Sequence, residues 1–147
     1  MNSPKNFLKI IGYILIVGAV LGFIGILGPT PGRSIFGTYW WLSERISLIY
    51  LVTGIVSLYS AYAMPASITM PLAFGLGAAT FFVGLYGLIW SSRILGIDLA
   101  GPIGNLFNLI VGSWGVWSVS SERFELMRRC RMGDTEACNL LEMQKAR

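Results

Sequence analysis

Four long apolar runs with no Asp, Glu, Lys or Arg at their centres constrain this chain more than any other feature. A helix rises about 1.5 Å per residue, so about 20 apolar residues cross a hydrocarbon core of about 30 Å. Residues 7–27, 44–63, 71–90 and 103–119 each approach that length. They predict an all-α fold, an integral membrane four-helix bundle. Pro71 and Pro102 open the third and fourth runs, and proline is well tolerated in the first turn of a helix. Ser43 is placed to cap the second run, with Glu44 beside its positive end. Lys5 and Lys9 ahead of the first run also suit a signal peptide. However, the run is long for one, and Gly28-Pro-Thr-Pro-Gly32 offers no small-x-small cleavage site. The first run therefore reads as an uncleaved span.

Composition agrees. Hydrophobic residues make up 54% of the chain and charged residues 12%, against about 25% charged in an ordinary soluble domain. The chain carries a net charge of +4, but its bases cluster at the two ends. Lys5, Lys9, Arg123, Arg128, Arg129 and Arg131 flank the apolar region. Arg33, Arg45 and Arg93 lie in the first and third connections, and the second connection has none. By the positive-inside rule both termini face the cytoplasm, a parity that four spans satisfy. Tyr39, Trp40 and Trp41 in the first connection suit an interfacial belt, and Ala63–Met70 reads as a short uncharged turn.

After Val119 the composition turns abruptly charged, so residues 120–147 form a separate cytoplasmic tail. Ser121–Met132 reads as a helix capped by Ser121. Gly133 ends it, and Asp134 or Thr135 starts a second helix through about Lys145. Phe124, Met127, Ala137, Leu140 and Leu141 are spaced to form an apolar seam between the two. The chain has two cysteines, Cys130 and Cys138, too few for a disulfide scaffold. In a cytoplasmic tail they are expected to be reduced.

The apolar region is internally repetitive. Leu48–Leu58 aligns over Leu106–Val116, pairing Leu48 with Leu106, Leu51 with Leu109 and Gly54 with Gly112. Gly22–Gly25 aligns more weakly over Gly84–Gly87. The expected architecture is two tandem helical hairpins related about an axis along the membrane normal. Val17-Gly18, Leu21-Gly22-Phe23, Asn105-Leu106, Asn108-Leu109 and Val111-Gly112 resemble the motifs of small four-span bacterial inner-membrane proteins grouped as a domain of unknown function. The resemblance covers residues 7–119 and implies the same two-hairpin fold, with no activity attached. That family commonly places a His near the start of its even-numbered spans. This chain has Tyr50 and Asn108 there, and no His anywhere. In the tail, Cys130–Cys138 resembles one junction of a cysteine-rich tetratricopeptide-related repeat, which implies that the two cysteines can bridge.

The residues that could carry function are few. Gly18 and Gly22 form a small-xxx-small pair, and Gly54 and Gly112 add small faces. Such residues let helices approach closely in lipid, within one bundle or between copies in a homo-oligomer. Tyr50, Thr53, Ser57, Thr80, Asn105 and Asn108 are polar groups inside apolar runs. An amide in hydrocarbon needs a partner, and Asn105 and Asn108 share a helix face. Interhelical hydrogen bonds are expected, with Asn108 reaching Tyr50 or Thr53, and a polar ligand site is the alternative. No ionisable group lies mid-span, which argues against ion-coupled transport. No nucleophile–base pair, metal cluster or phosphate loop is apparent, so no catalytic residue, cofactor or metal is assigned. Arg128, Arg129 and Arg131 can attract anionic lipid or dock a partner protein, and one short basic cluster is too few contacts for nucleic acid. The sequence thus predicts a non-enzymatic accessory or interaction subunit in the lipid bilayer, its tail meeting a membrane or cytosolic protein. The alternative is a small uncoupled channel or carrier for a neutral solute, with Asn105, Asn108, Tyr50 and Thr53 along its path.

Overall fold

A computed structural model describes residues 3–90, 93–94, 97–98 and 101–145. Among these the fold is all-α, with α1 (Pro4–Phe23), α2 (Glu44–Ala63), α3 (Ala66–Ile89), α4 (Pro102–Arg131) and α5 (Thr135–Lys145). Two two-residue strands, β1 (Arg93–Ile94) and β2 (Ile97–Asp98), pair antiparallel between α3 and α4. The helices α1, α2 and α3 are long and apolar enough to cross a membrane. α4 is less apolar, because Asn105, Asn108 and a run of Ser, Gly and Trp dilute its first half.

Local sequence sets the helix starts. Ser3 caps α1, its hydroxyl accepting from the Lys5 amide at 3.3 Å. Ser43 caps α2 as expected, accepting from the Ile46 amide at 3.4 Å. Pro102 stands in the first turn of α4, where its missing N–H costs nothing. α3 departs from expectation. It begins at Ala66, leaving only Met64 and Pro65 as the turn, so Pro71 falls inside the helix. Pro65 stands at the N-cap of α3 with extended backbone, and Pro71 deprives only the Ser67 carbonyl of its partner one turn in.

The tail also differs. The expected break at Ser121 is absent, and α4 runs unbroken for 30 residues, about 45 Å at the usual rise. Ser118, Ser120 and Ser121 turn their hydroxyls back to the carbonyls of Gly115, Val116 and Ser118 at 2.8–3.1 Å. A serine satisfied in this way stays within a helix and does not start one. Gly133, at φ +96°, does end α4, and Asp134 Oδ1 caps α5 by accepting from the amides of Glu136 and Ala137. The expected seam is reduced to Ala137, which is buried, because Phe124 and Met127 point outward.

The helices pack as two hairpins, α1 on α2 and α3 on α4, with far fewer contacts between α2 and α3. α1 joins the hairpins. Its Phe7, Leu8, Ile11 and Leu15 are buried with Ala61 of α2, Ala73 of α3 and Val111 of α4. Phe7 meets Trp114 edge to face at 5.3 Å between ring centroids. The opposite faces of the helices expose Ile10, Ile14, Val17, Val52, Val56, Phe74 and Phe82.

Each hairpin closes where glycine removes a side chain. A Cβ on Gly54 would lie 2.9 Å from the Gly12 carbonyl oxygen, and one on Gly77 would lie 3.0 Å from the Gly115 backbone. By contrast, a Cβ on Gly75 meets nothing within 4 Å. Gly77→Ala should therefore destabilise the protein by about 1–3 kcal/mol through overpacking. Gly75→Ala should be neutral or stabilising by up to about 1 kcal/mol through helix propensity. Unfolding midpoints of the two variants in mild detergent check this, and equal midpoints would contradict the packing.

Candidate functional site: the polar seam between the hairpins

A side-chain hydrogen bond joins the two hairpins between α2 and α4. Tyr50 on α2 donates its hydroxyl to Oδ1 of Asn108 on α4 at 3.2 Å, across a sequence separation of 58. That separation is also the register of the internal sequence alignment, so two positions aligned in that register face one another. Gly18 leaves room for the tyrosine ring, since a Cβ there would lie 3.7 Å from Tyr50 Cδ2. Thr53, the next turn along α2, is half-buried and does not join the pair.

Asn105 lies one turn before Asn108, buried in the α3–α4 contact against Gly84 and Gly87. Ser47, its equivalent on α2, is buried against Gly22. The two hairpins thus place a polar side chain of the even helix over a glycine of the odd one. Neither Asn105 Oδ1 nor Ser47 Oγ has a hydrogen-bond partner, and the same holds for Ser57 and Ser60 Oγ nearer the far end of α2. Buried polar atoms without partners are uncommon because each forfeits its hydration. Thr80, by contrast, is satisfied by the Leu76 and Gly77 carbonyls at 2.8 and 3.1 Å. The glycines singled out from sequence behave unequally: Gly22, Gly54 and Gly112 are buried in helix contacts, whereas Gly18 is in looser contact.

The first connection closes the bundle beside this seam. Leu27 and Leu42 are buried and bond through the Leu42 amide to the Leu27 carbonyl at 2.9 Å. The Tyr39 carbonyl accepts from the Ile103 amide at 3.1 Å, satisfying a donor that the first turn of α4 would otherwise leave open. Trp40 packs inward between Phe36 and Phe107, while Tyr39 is exposed.

At the other end, α4 continues past the start of α1. Glu122 lies there half-buried, with one carboxylate oxygen that has no hydrogen-bond partner. Burial raises its pKa, and the Ser3 hydroxyl and Lys5 ammonium oppose that shift. Arg128, Arg129 and Arg131 are exposed on the last turns of α4, and Arg129 forms only an exposed pair with Glu125 at 3.8 Å. Such a pair contributes little. Cys130 and Cys138 are joined in a disulfide, contrary to the reduced thiols expected in a cytoplasmic tail. The Gly133 turn brings their Cα atoms to 4.8 Å, within bridging distance. Among the described residues no group of three or more His, Cys, Asp or Glu could hold a metal ion.

The fold and seam define a class: an all-helical chain with three helices long and apolar enough to cross a membrane. Comparison with known protein families, curated proteins and solved structures finds no match to this chain. Sequence reasoning did not single out Ser47, Ser60, Gly12 or Glu122. The signal for Ser47 was available, since it aligns with Asn105 in the repeat register.

The seam has a measurable strength. Interhelical hydrogen bonds in membrane bundles average about 0.6 kcal/mol. A double-mutant cycle of Tyr50→Phe and Asn108→Leu should give a coupling of about that size. Zero coupling would show that the two side chains do not hold the hairpins together.

Proposed function

We propose that this chain is a non-enzymatic integral membrane protein of the bacterial inner membrane, an accessory subunit whose tail binds another protein. The observation that carries the reading is apolar surface beyond the apolar helices. Phe124, Met127 and Met132 are 67%, 48% and 68% exposed on the polar end of α4, among Arg123, Arg128, Arg129 and Arg131. Aromatic, Met and Arg side chains together are enriched at protein interfaces.

In this reading α4 is the fourth span. Its support is the face it turns away from α3, where Ile103, Leu106, Ile110 and Trp117 are exposed. The hairpins are tandem repeats, a reading supported by equivalent positions with equivalent surroundings. Leu48 and Leu106 face outward, and Gly54 and Gly112 face inward. The distribution of Lys and Arg supports a cytoplasmic position for both termini.

A second reading, a small uncoupled channel or carrier for a neutral solute, is favoured by the unpartnered oxygens of Ser47, Ser57, Ser60 and Asn105. One preparation separates the two. The intact protein, drawn in mild detergent from its native membrane, should carry a stoichiometric partner. That partner should be lost from Phe124→Glu and from a chain shortened after Ser120. Recovery without a partner, together with solute flux in proteoliposomes, would overturn the accessory reading in favour of the path.

The Cys130–Cys138 bridge bears on orientation, because disulfides persist in oxidising compartments. With the tail in the cytoplasm, an impermeant thiol reagent applied with an impermeant reductant should label the cysteines only after cells are opened. Labelling of intact cells that appears once an impermeant reductant is added would place the tail outside and reverse the topology.

A further inference from the structure

The outer face of the α1–α2 hairpin carries a polar cluster that neither the seam nor the tail uses. Lys9 on α1 lies with Nζ 4.6 Å from the centre of the Tyr62 ring on α2. The Tyr62 hydroxyl is 3.2 Å from that of Tyr13, one turn further along α1. Both tyrosines are more than half exposed. Lys9 and Tyr62 belong to the end of the bundle where α1 begins and α2 ends, and Tyr13 lies one turn deeper, near the middle of α1.

We propose that Lys9, Tyr13 and Tyr62 form a seat for the phosphodiester of one anionic phospholipid. This rests on the membrane reading above and adds a defined lipid site to it. The hydrogen-bond inventory of the cluster is one-sided. An ammonium has three donors and no acceptor, and an aromatic face answers its charge only partly. Among the described residues no carboxylate lies within salt-bridge distance of Lys9. Lys5, one turn earlier, acts on Glu122, which leaves Lys9 as the uncompensated cation. The contact between the two phenols uses one hydroxyl proton, so the second remains free to donate outward. Among the described residues no anion answers the Lys9 ammonium, and one phenol O–H of the pair stays free to donate.

Position selects the ligand. Lys9 sits about 7 Å along α1 from its start, a depth from which a lysine stem extends its charge to the headgroup layer. Beyond the cluster, Ile10, Ile14 and Val17 of α1 and Val56 and Tyr59 of α2 are exposed. An anionic seat at one end of an apolar strip matches a lipid, with its phosphate at the cluster and its acyl chains along the helices.

The test uses the full chain in nanodiscs of phosphatidylcholine with a minority of phosphatidylglycerol, followed by release into mild detergent and native mass spectrometry. The protein should retain one phosphatidylglycerol in preference to phosphatidylcholine. Lys9→Gln should weaken that retention about fivefold, the effect of one basic residue at a membrane surface. Tyr62→Phe should weaken it less, and Lys9→Arg should preserve it. Equal retention by Lys9→Gln and the unaltered protein overturns the site while leaving the membrane reading intact. A protein that does not enter nanodiscs at all overturns the membrane reading, and the site with it.

Discussion

Backbone-to-backbone contact at glycine is the interaction on which the rest of this structure depends. In the bilayer proposed above, a medium as apolar as the side chains themselves, hydrophobic burial gives little reason for two helices to meet. Contact must come from packing and short-range polar terms, which fall off steeply with distance. Gly12 against Gly54 and Gly77 against Gly115 bring the helices of each hairpin close enough for those terms to act. Ser47 can then lie over Gly22 and Asn105 over Gly87, positions that any larger residue on α1 or α3 would fill. The polar seam follows from the glycine contacts.

The link between the hairpins is of another kind. α2 and α3 are joined by a two-residue turn yet share few contacts, and the hairpins are held through the apolar face of α1 and the Tyr50–Asn108 hydrogen bond. One apolar face gives affinity without fixing register along the helix axis. A hydrogen bond between two named atoms fixes it, because a slip of one residue would leave both groups without a partner.

Much of this was legible in the chain. Apolar runs with uncharged centres, bounded by Pro, Gly and Ser, locate the helices, and α2 begins and ends where its pattern does. The repeat register, read only from Leu and Gly, also relates Tyr50 to the residue it bonds. What was not legible depended on partners that are distant in sequence or on a choice between equivalent local options. Pro65 and Pro71 are both acceptable early in a helix, and hydropathy does not choose between them. Ser121 can cap a helix or bond back within one, and the continuity of α4 decides. Phe124 and Met127 have seam spacing, but a seam also requires that α5 cover them, and both stay exposed while Ala137 is buried. The disulfide needed the Gly133 turn to be known in three dimensions.

The central position of α1 has a consequence for the order of assembly. Its inward face is synthesised well before Val111 and Trp114 of α4, which complete its surroundings. In water a half-finished face of Phe7, Leu8, Ile11 and Leu15 would invite aggregation during that interval. In the bilayer proposed above, lipid tails cover it at little cost until α4 arrives. The α1–α2 hairpin can therefore form early and wait. In that bilayer the face of α1 is passed from lipid tails to α4 without meeting water.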